Sequence, residues 1–219
     1  MRETTTQGTA QEQQTLSRFE EALVFAAQKH EAQTRKGTTI PYIAHLIQVS
    51  GLALENGAND DEAIAALLHD VMEDQDVTRE ELTSRFGPAV AAIVTECSTE
   101  CSDSSSTDKA PWKQRKTAYI AHVHTASRSA RLVSSCDKLH NARAILADYQ
   151  ELGEPLWSRF NATRSDILWY YRSLASAFQE AQERHGEPRS RVVQELAVVV
   201  AELASQMQSV SLSEAANGG

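Results

Sequence analysis

Apolar positions recur with the period of an α-helix along most of the chain, and no alternating strand pattern persists. A first helix is predicted over about residues 15–33, and a second from Pro41, which suits the start of a helix, to about residue 56. A third is predicted over about 60–72, with Asn59 and Glu62 as its capping pair. This third helix is apolar on nearly every side, so we expect it at the centre of the fold.

A polar, serine-rich stretch at residues 102–111 is predicted to be a loop, and helices are predicted on both sides of it. The pattern therefore predicts an all-α, single-domain fold of about 8–10 helices over residues 15–209, with disordered polar tails at 1–14 and 210–219. The remaining helices are expected near 78–85, 88–97, 111–124, 154–162 and 167–178, from Pro188 onwards, and from a cap at Ser127 or Ser129 to about residue 145.

The last predicted helix carries Val192, Leu196, Val199 and Leu203 at heptad-like spacing. We interpret this stripe as core, with a dimer contact as the alternative, so a monomer and a homodimer both remain open.

Composition and charge narrow the classes of function. The formal net charge of −9 argues against a nucleic-acid partner, because binding of nucleic acid needs a basic surface. No apolar stretch approaches the roughly 20 residues that cross a membrane. The three cysteines, Cys97, Cys101 and Cys136, form neither a disulfide framework nor a paired zinc-ligand pattern, so a reducing cytoplasm is the expected compartment.

Four polar residues stand where the helical pattern calls for apolar side chains. His45 and Asp137 lie within apolar helices, and His69 and Asp70 come directly after the run AIAALL, near the end of the most apolar one. Each alone has an ordinary explanation, such as a hydrogen-bonded core histidine or an aspartate paired with arginine. Together they form a set of two imidazoles and two carboxylates, and a bound metal would offset the cost of burying them. The set lacks a thiolate, and four protein ligands leave open positions on a six-coordinate ion, so Mn²⁺ fits best, with other divalent metals as alternatives.

The order of these residues, with HDVMED at 69–74, resembles the HD-domain phosphohydrolases. RKGTTIPYIAH (35–45), AALLHDVMED (65–74), FGPAVAAIV (86–94) and DKLHNARAI (137–145) are similar to the hydrolase domain of the RelA/SpoT family, the enzymes of guanosine tetra- and pentaphosphate turnover. The resemblance covers about residues 15–180. It implies a helical HD-domain fold and hydrolysis of the 3′-pyrophosphate of guanosine tetraphosphate or pentaphosphate to pyrophosphate and GDP or GTP.

The resemblance also implies roles for residues near the predicted metal. Glu73 and Asp74 match the family pair that activates water and handles protons. The chemistry fits independently, because a metal lowers the pKa of bound water and a nearby carboxylate can take the proton. Arg35 and Lys36 match positions that contact the nucleotide. Asn141 matches a residue that holds a ribose or phosphate oxygen.

Three further residues complete the predicted substrate contacts. His140 is interpreted as orienting the ligands. Lys113 and Arg115 follow the serine-rich loop and are predicted to form the phosphate-facing edge of the cleft, although a solvated basic helix face explains them equally well.

The predicted partner is a purine nucleotide polyphosphate, and the sequence does not fix the purine pocket. The alternatives are another HD phosphohydrolase, acting on adenosine alarmones, nucleotides or NADPH, and a nucleotide-binding regulatory protein. The intact carboxylate pair at 73–74 favours an enzyme over the regulatory protein.

Overall fold

The computed structural model describes residues 7–98 and 111–217 and, within these segments, the side chains of residues 18–98 and 111–208. Over these residues the chain forms ten α-helices and one 3₁₀ helix, and the β-type pairing is limited to an isolated bridge between Thr34 and Pro41. The all-α prediction is confirmed. The predicted loop at 102–111 lies outside the described residues, apart from Pro111. The helices are α1 (Gln7–Lys29), α2 (Ile43–Glu55), α3 (Asp60–Leu68), α4 (Val71–Asp74), α5 (Arg79–Phe86), α6 (Pro88–Cys97), α7 (Trp112–Val123), α8 (Arg128–Leu152), α9 (Arg164–Arg184) and α10 (Arg191–Asn217), with the 3₁₀ helix at Glu154–Arg159.

The chain separates into two compact units. The first comprises Met1–Ser102 and Ser127–Ser134, and the second comprises Asp103–Ala126 and Ser135–Gly219. Helix α8 therefore begins in the first unit and ends in the second. The domain limits at residues 15 and 209 stay predictions, while α1 begins at Gln7 and α10 ends at Asn217.

Helix α3 forms the centre of the first unit, as its apolar pattern predicts. Every residue from Glu62 to Leu68 is buried, and the helix packs against α1, α2 and α6. The predicted cap is present: Glu62 N donates to Asn59 Oδ1 at 3.0 Å, and Asn59 N donates to Glu62 Oε2 at 2.8 Å. Ser129 at the start of α8 donates to Oε1 of the same carboxylate at 2.7 Å. The buried Glu62 is thus held at both oxygens, as a buried charge requires.

The predicted helix over 60–72 is wrong at its C-terminal end. Helix α3 stops at Leu68, His69 is its C-cap, and Asp70 opens the single turn of α4. Nδ1 of His69 turns back to the carbonyl oxygen of Ala66 at 2.9 Å, so a side chain satisfies one of the carbonyls left without a backbone donor at this helix end. Within one continuous helix, His69 and Asp70 would point about 100° apart. The break releases them from that constraint.

In the second unit, α9 packs against α7 and α10. From the stripe on α10, Val192, Leu196 and Leu203 are buried, which agrees with its interpretation as core. The predicted helix at 154–162 is wrong in type, because the segment forms a short 3₁₀ helix that ends at Arg159. No described helix combines the length and the apolar character needed to span a bilayer.

Candidate metal centre

His45, His69 and Asp70 converge in the first unit, from α2 and from the junction of α3 and α4. Nε2 of His69 lies 3.0 Å from Oδ2 of Asp70, and Nε2 of His45 lies 3.7 Å from the same oxygen. The two imidazole centroids are 5.2 Å apart, and each ring offers a ligand nitrogen within 4.8 Å of the other. Both histidines are buried, whereas Asp70 is half-buried and keeps a path to solvent.

The tautomer of His69 favours a cation in this cluster. Nδ1 donates its proton to the carbonyl of Ala66, so in the neutral ring Nε2 carries the lone pair. That lone pair faces a carboxylate oxygen of Asp70 at 3.0 Å, and two acceptors this close need a proton or a metal ion between them. A backbone carbonyl that fixes the second ring nitrogen is the usual support for a metal-binding histidine. The residues of the first unit therefore fit a His/Asp metal site.

Tyr42 holds the carboxylate of Asp70. Its hydroxyl donates to Oδ2 at 2.6 Å, while its ring meets His45 edge-on at a centroid distance of 5.3 Å. On its other side the ring stacks on His30 at 5.1 Å. Sequence reasoning missed Tyr42. Its place three residues before His45 is the signal that could have found it, since residues three apart share a helix face.

Glu73 and Asp74 are both exposed on the single turn of α4. The backbone N–H of Asp74 donates to the carbonyl of Asp70 at 2.9 Å. This hydrogen bond fixes the backbone of Asp74 relative to Asp70, the candidate metal ligand. Gln33, which sequence reasoning also missed, donates from Nε2 to Asp74 Oδ2 at 2.7 Å. The predicted proton-transfer pair thus lies in the exposed turn that directly follows Asp70, and its role stays a prediction.

The loop before α2 brings positive charge to the same region. The backbone N–H of Tyr42 donates to the carbonyl of Gln33 at 2.9 Å and closes the loop. The guanidinium of Arg35 lies 5.9 Å from the centroid of the Tyr42 ring, and Lys36 is exposed. Tyr42, which also contacts Asp70, is thus a neighbour of Arg35 as well, and the predicted substrate contacts of Arg35 and Lys36 stay predictions.

Asp137 belongs to the second unit, where it is buried in α8 with 6% of its surface exposed. Nδ2 of Asn141 donates to its Oδ1 at 2.5 Å, and Nζ of Lys138 lies 2.9 Å from Oδ2. Asn141 therefore shares the helix face of Asp137, as their spacing predicts. His140 on the same helix is half-buried.

The ammonium group of Lys113 contacts two side chains of α9. Its Nζ lies 3.3 Å from the centroid of the Trp169 ring and 3.2 Å from Oδ1 of Asp166. These contacts support the alternative interpretation of an exposed basic helix face. Arg115 is half-buried, and its role stays a prediction.

The surroundings of the two described cysteines, Cys97 and Cys136, are those of structural residues. Ser134 donates to Sγ of the half-buried Cys97 at 3.6 Å, and Cys101 lies outside the described residues. Burial and, secondarily, the charge of Asp137 raise the pKa of the Cys136 thiol to about 12. Cys136 is therefore protonated at neutral pH, whereas metal binding needs a thiolate.

Comparison with known proteins places this geometry in a family. The model of the HD domain matches residues 22–168. The guanosine-3′,5′-bis(diphosphate) 3′-pyrophosphohydrolase MESH1 of Drosophila melanogaster is 38% identical over 132 residues, which is 59% of this chain and 70% of that protein. The protein of the same name from Danio rerio is 41% identical over 130 residues, which is 57% of this chain and 67% of that protein.

A solved structure shows the same fold. It is that of a metazoan orthologue of SpoT that hydrolyses ppGpp and plays a role in starvation responses. The TM-score is 0.63 at 26% sequence identity, and the match covers 86% of this chain and 94% of the other. With an HD domain matched over most of its length and a histidine–aspartate cluster built from the HD dipeptide itself, the chain belongs to the HD domain family.

Proposed function

We propose that this protein hydrolyses the 3′-pyrophosphate of guanosine tetraphosphate or pentaphosphate and releases pyrophosphate with GDP or GTP. The observation that carries the proposal is the cluster of His45, His69 and Asp70, in a chain 38% identical to a relative named for that reaction. The presence of both carboxylates of the predicted proton-transfer pair, Glu73 and Asp74, supports an enzyme over a protein that only binds the nucleotide.

We assign Asp137 as the fourth metal ligand and Mn²⁺ as the metal, with other divalent ions as alternatives. The support is the order H…HD…D along the chain, the burial of Asp137 within a helix, and a donor set of imidazole and carboxylate without thiolate. When bound, such a cation lowers the pKa of water and offsets the negative charge of the phosphate oxygens.

Glu73 and Asp74 take the proton-transfer roles. Their exposure lets water and substrate reach both carboxylates. The oxygen of water forms a bond to the phosphorus attached to O3′ of the ribose, and one carboxylate takes the proton that this water loses. The bond between that phosphorus and O3′ breaks, and O3′ receives a proton from the other member of the pair, which acts in its protonated carboxyl form. The products are pyrophosphate and the free 3′-hydroxyl.

Arg35 and Lys36 bind the phosphates, and Asn141 holds a ribose or phosphate oxygen. The support for Arg35 is its place beside Tyr42. His140 orients the ligands, and Arg115, with Lys113, faces the distal phosphate. A purine nucleotide polyphosphate is thus the proposed partner, in the cytoplasm, and both a monomer and a homodimer are compatible with the proposal.

The test is release of pyrophosphate from guanosine tetraphosphate with and without Mn²⁺, beside the adenosine analogue and NADPH. We expect Mn²⁺-dependent release from the guanosine compound. Turnover of only the adenosine compound or NADPH would keep the hydrolase and change its substrate. A protein that binds metal and turns over none of the three would be a nucleotide-binding regulator instead.

A further inference from the structure

Gln33 connects the end of α1 to the carboxylate of Asp74 through hydrogen bonds that all lie in the first unit. Its Nε2 donates to Oδ2 of Asp74 at 2.7 Å. Its Oε1 lies 2.6 Å from Nδ1 of His30 and accepts from Nε2 of Gln75 at 2.6 Å. Both ends of one amide are therefore engaged, one by the candidate proton-transfer group and the other by two nitrogens.

The chemistry of the partners fixes the orientation of this amide. An ionised carboxylate only accepts hydrogen bonds, so Gln33 must turn its NH₂ group toward Asp74 and its oxygen toward His30 and Gln75. It follows that Nδ1 of His30 carries a proton. The 3.4 Å separation between Nε2 of Gln75 and Nδ1 of His30 then reflects two donors that converge on one acceptor.

His30 gives the amide a rigid support. It is 2% exposed, and its ring stacks on Tyr42 with an interplanar angle of 21°. Its Nε2 is buried and has no hydrogen-bond partner among the described residues, so Nδ1 alone ties the ring to a polar group. A buried, stacked ring has little conformational freedom. The hydrogen bond from His30 therefore anchors the Gln33 amide to a rigid part of the fold.

The backbone of Gln33 reaches the metal-ligand side of the cluster. Its carbonyl accepts from the N–H of Tyr42 at 2.9 Å, and the Tyr42 hydroxyl donates to Asp70 at 2.6 Å. One residue thus sets the position of the loop through its main chain and the position of Asp74 through its side chain. In the described part of the chain, Oδ1 of Asp74 takes no side-chain hydrogen bond.

We propose that Gln33 is a positioning residue, which holds Oδ2 of Asp74 and leaves Oδ1 as the oxygen that exchanges the proton during hydrolysis. This inference rests on the proposed function, because it assigns Asp74 to proton transfer. It concerns the orientation of one carboxylate and requires no contact between Gln33 and the substrate.

The primary test is Gln33→Met, which keeps the length of the side chain and removes both of its hydrogen-bonding functions. We expect kcat for pyrophosphate release to fall roughly tenfold, because a misplaced proton-transfer group loses part of its contribution. KM and the bound metal should stay within about twofold, since neither depends on the orientation of a carboxylate outside the ligand set. Gln28→Met, the same change at an exposed position of α1, is the matched control and should behave as wild type.

A second variant separates positioning from support of the loop. Gln33→Glu keeps an acceptor for His30 and Gln75 but has no donor for Asp74. The positioning role requires kcat of this variant to fall at least as far as in Gln33→Met. A role limited to bracing the loop would leave Gln33→Glu close to wild type and would overturn the inference, as would equal kcat in the Gln33→Met and Gln28→Met proteins.

Failure of the proposed function gives a different result, because the wild-type protein would then turn over no guanosine tetraphosphate. In that case the hydrogen bond on which the inference is built is tested by itself, by NMR of the side-chain amides. The Gln33 amide should shift and exchange faster with solvent in Asp74→Ala, while the Gln28 amide stays unchanged. A Gln33 signal that ignores the loss of Asp74 overturns the inference.

Discussion

The hydroxyl of Tyr42 and the carboxylate of Asp70 form a hydrogen bond of 2.6 Å, at the same oxygen that faces Nε2 of His69 at 3.0 Å. Oδ2 of Asp70 therefore receives a donor from one side and faces the histidine nitrogen on the other. The phenol fixes the rotation of the carboxylate before any ion arrives. A carboxylate that is already oriented loses less conformational freedom when it binds a metal ion. The hydrogen bond from Tyr42 to Asp70 should therefore contribute to metal affinity.

Replacing Tyr42 with Phe should weaken Mn²⁺ binding roughly tenfold, because partners that orient metal ligands typically contribute this much or more. Isothermal titration with Mn²⁺ measures the change. Tyr149→Phe is the matched control, since it removes a hydroxyl that donates to a different carboxylate, Glu154, at 2.8 Å. Equal affinities in the two variants would show that the Tyr42 hydroxyl has no part in metal binding.

Asp137→Asn should remove the bound metal while the fold persists, because the amide keeps the shape of the side chain and loses its charge. Metal analysis of the purified protein by mass spectrometry, with circular dichroism as the check on folding, measures both properties. A variant that keeps both metal and turnover would exclude Asp137 from the ligand set.

Glu73→Gln should keep the metal and reduce kcat by about 100-fold or more, the range expected for loss of a general acid or base. The residue is exposed, so the substitution should have little effect on stability. Turnover and metal content measured on one preparation separate the two properties. Activity within a few-fold of wild type would leave the proton transfer to Asp74 alone.

Glu62→Ala should destabilise the first unit by about 2 kcal/mol, because it removes one side of the α3 cap and leaves the Ser129 hydroxyl without its acceptor. Urea unfolding measures the loss. Glu80→Ala, an exposed change in the first turn of α5, should cost about 0.5 kcal/mol or less and serves as the comparison.

The carboxyl of Asp166 should titrate at a higher pH in Thr163→Val than in the natural chain. The hydroxyl of Thr163 and, next, Lys113 hold the pKa of Asp166 below its ordinary value. Since the pKa is lowered in the folded state, the associated stability is present above the ordinary pKa and is lost as the pH falls through the lowered one. Carboxyl ¹³C NMR follows the titration. Thr163→Ser keeps the hydroxyl and should keep the low pKa.

Period and capping patterns predict much of this fold because they act locally. The Asn59–Glu62 cap, the start of a helix at Pro88 and the central place of α3 follow from residues within a few positions of one another. The break between Leu68 and Val71 does not, since AALLHDVMED contains neither glycine nor proline. It forms where His69 bonds back to Ala66 and Asp70 turns to Tyr42, and the second contact spans 28 residues.

The residues of the candidate site also fall into those that local sequence patterns predict and those that only the folded chain reveals. His45, His69, Asp70 and Asp137 are recognisable because polar residues in apolar helices are unusual, and the first three meet in one unit. Gln33 escaped prediction because it lies in a loop, where no period indicates which way a side chain points. Its partner Asp74 is 41 residues away, and only the folded chain brings the two together.

The course of helix α8 through both compact units has a consequence for synthesis of the protein. The first unit needs Ser127–Ser134, and the second unit combines Asp103–Ala126 with Ser135–Gly219. A chain synthesised only as far as residue 126 therefore lacks one part of the first unit, the segment at the start of α8. Completion of the first unit should therefore overlap in time with folding of the second. A chain whose synthesis stops before residue 127 should keep an incomplete first unit, which chaperones bind more readily than a complete one.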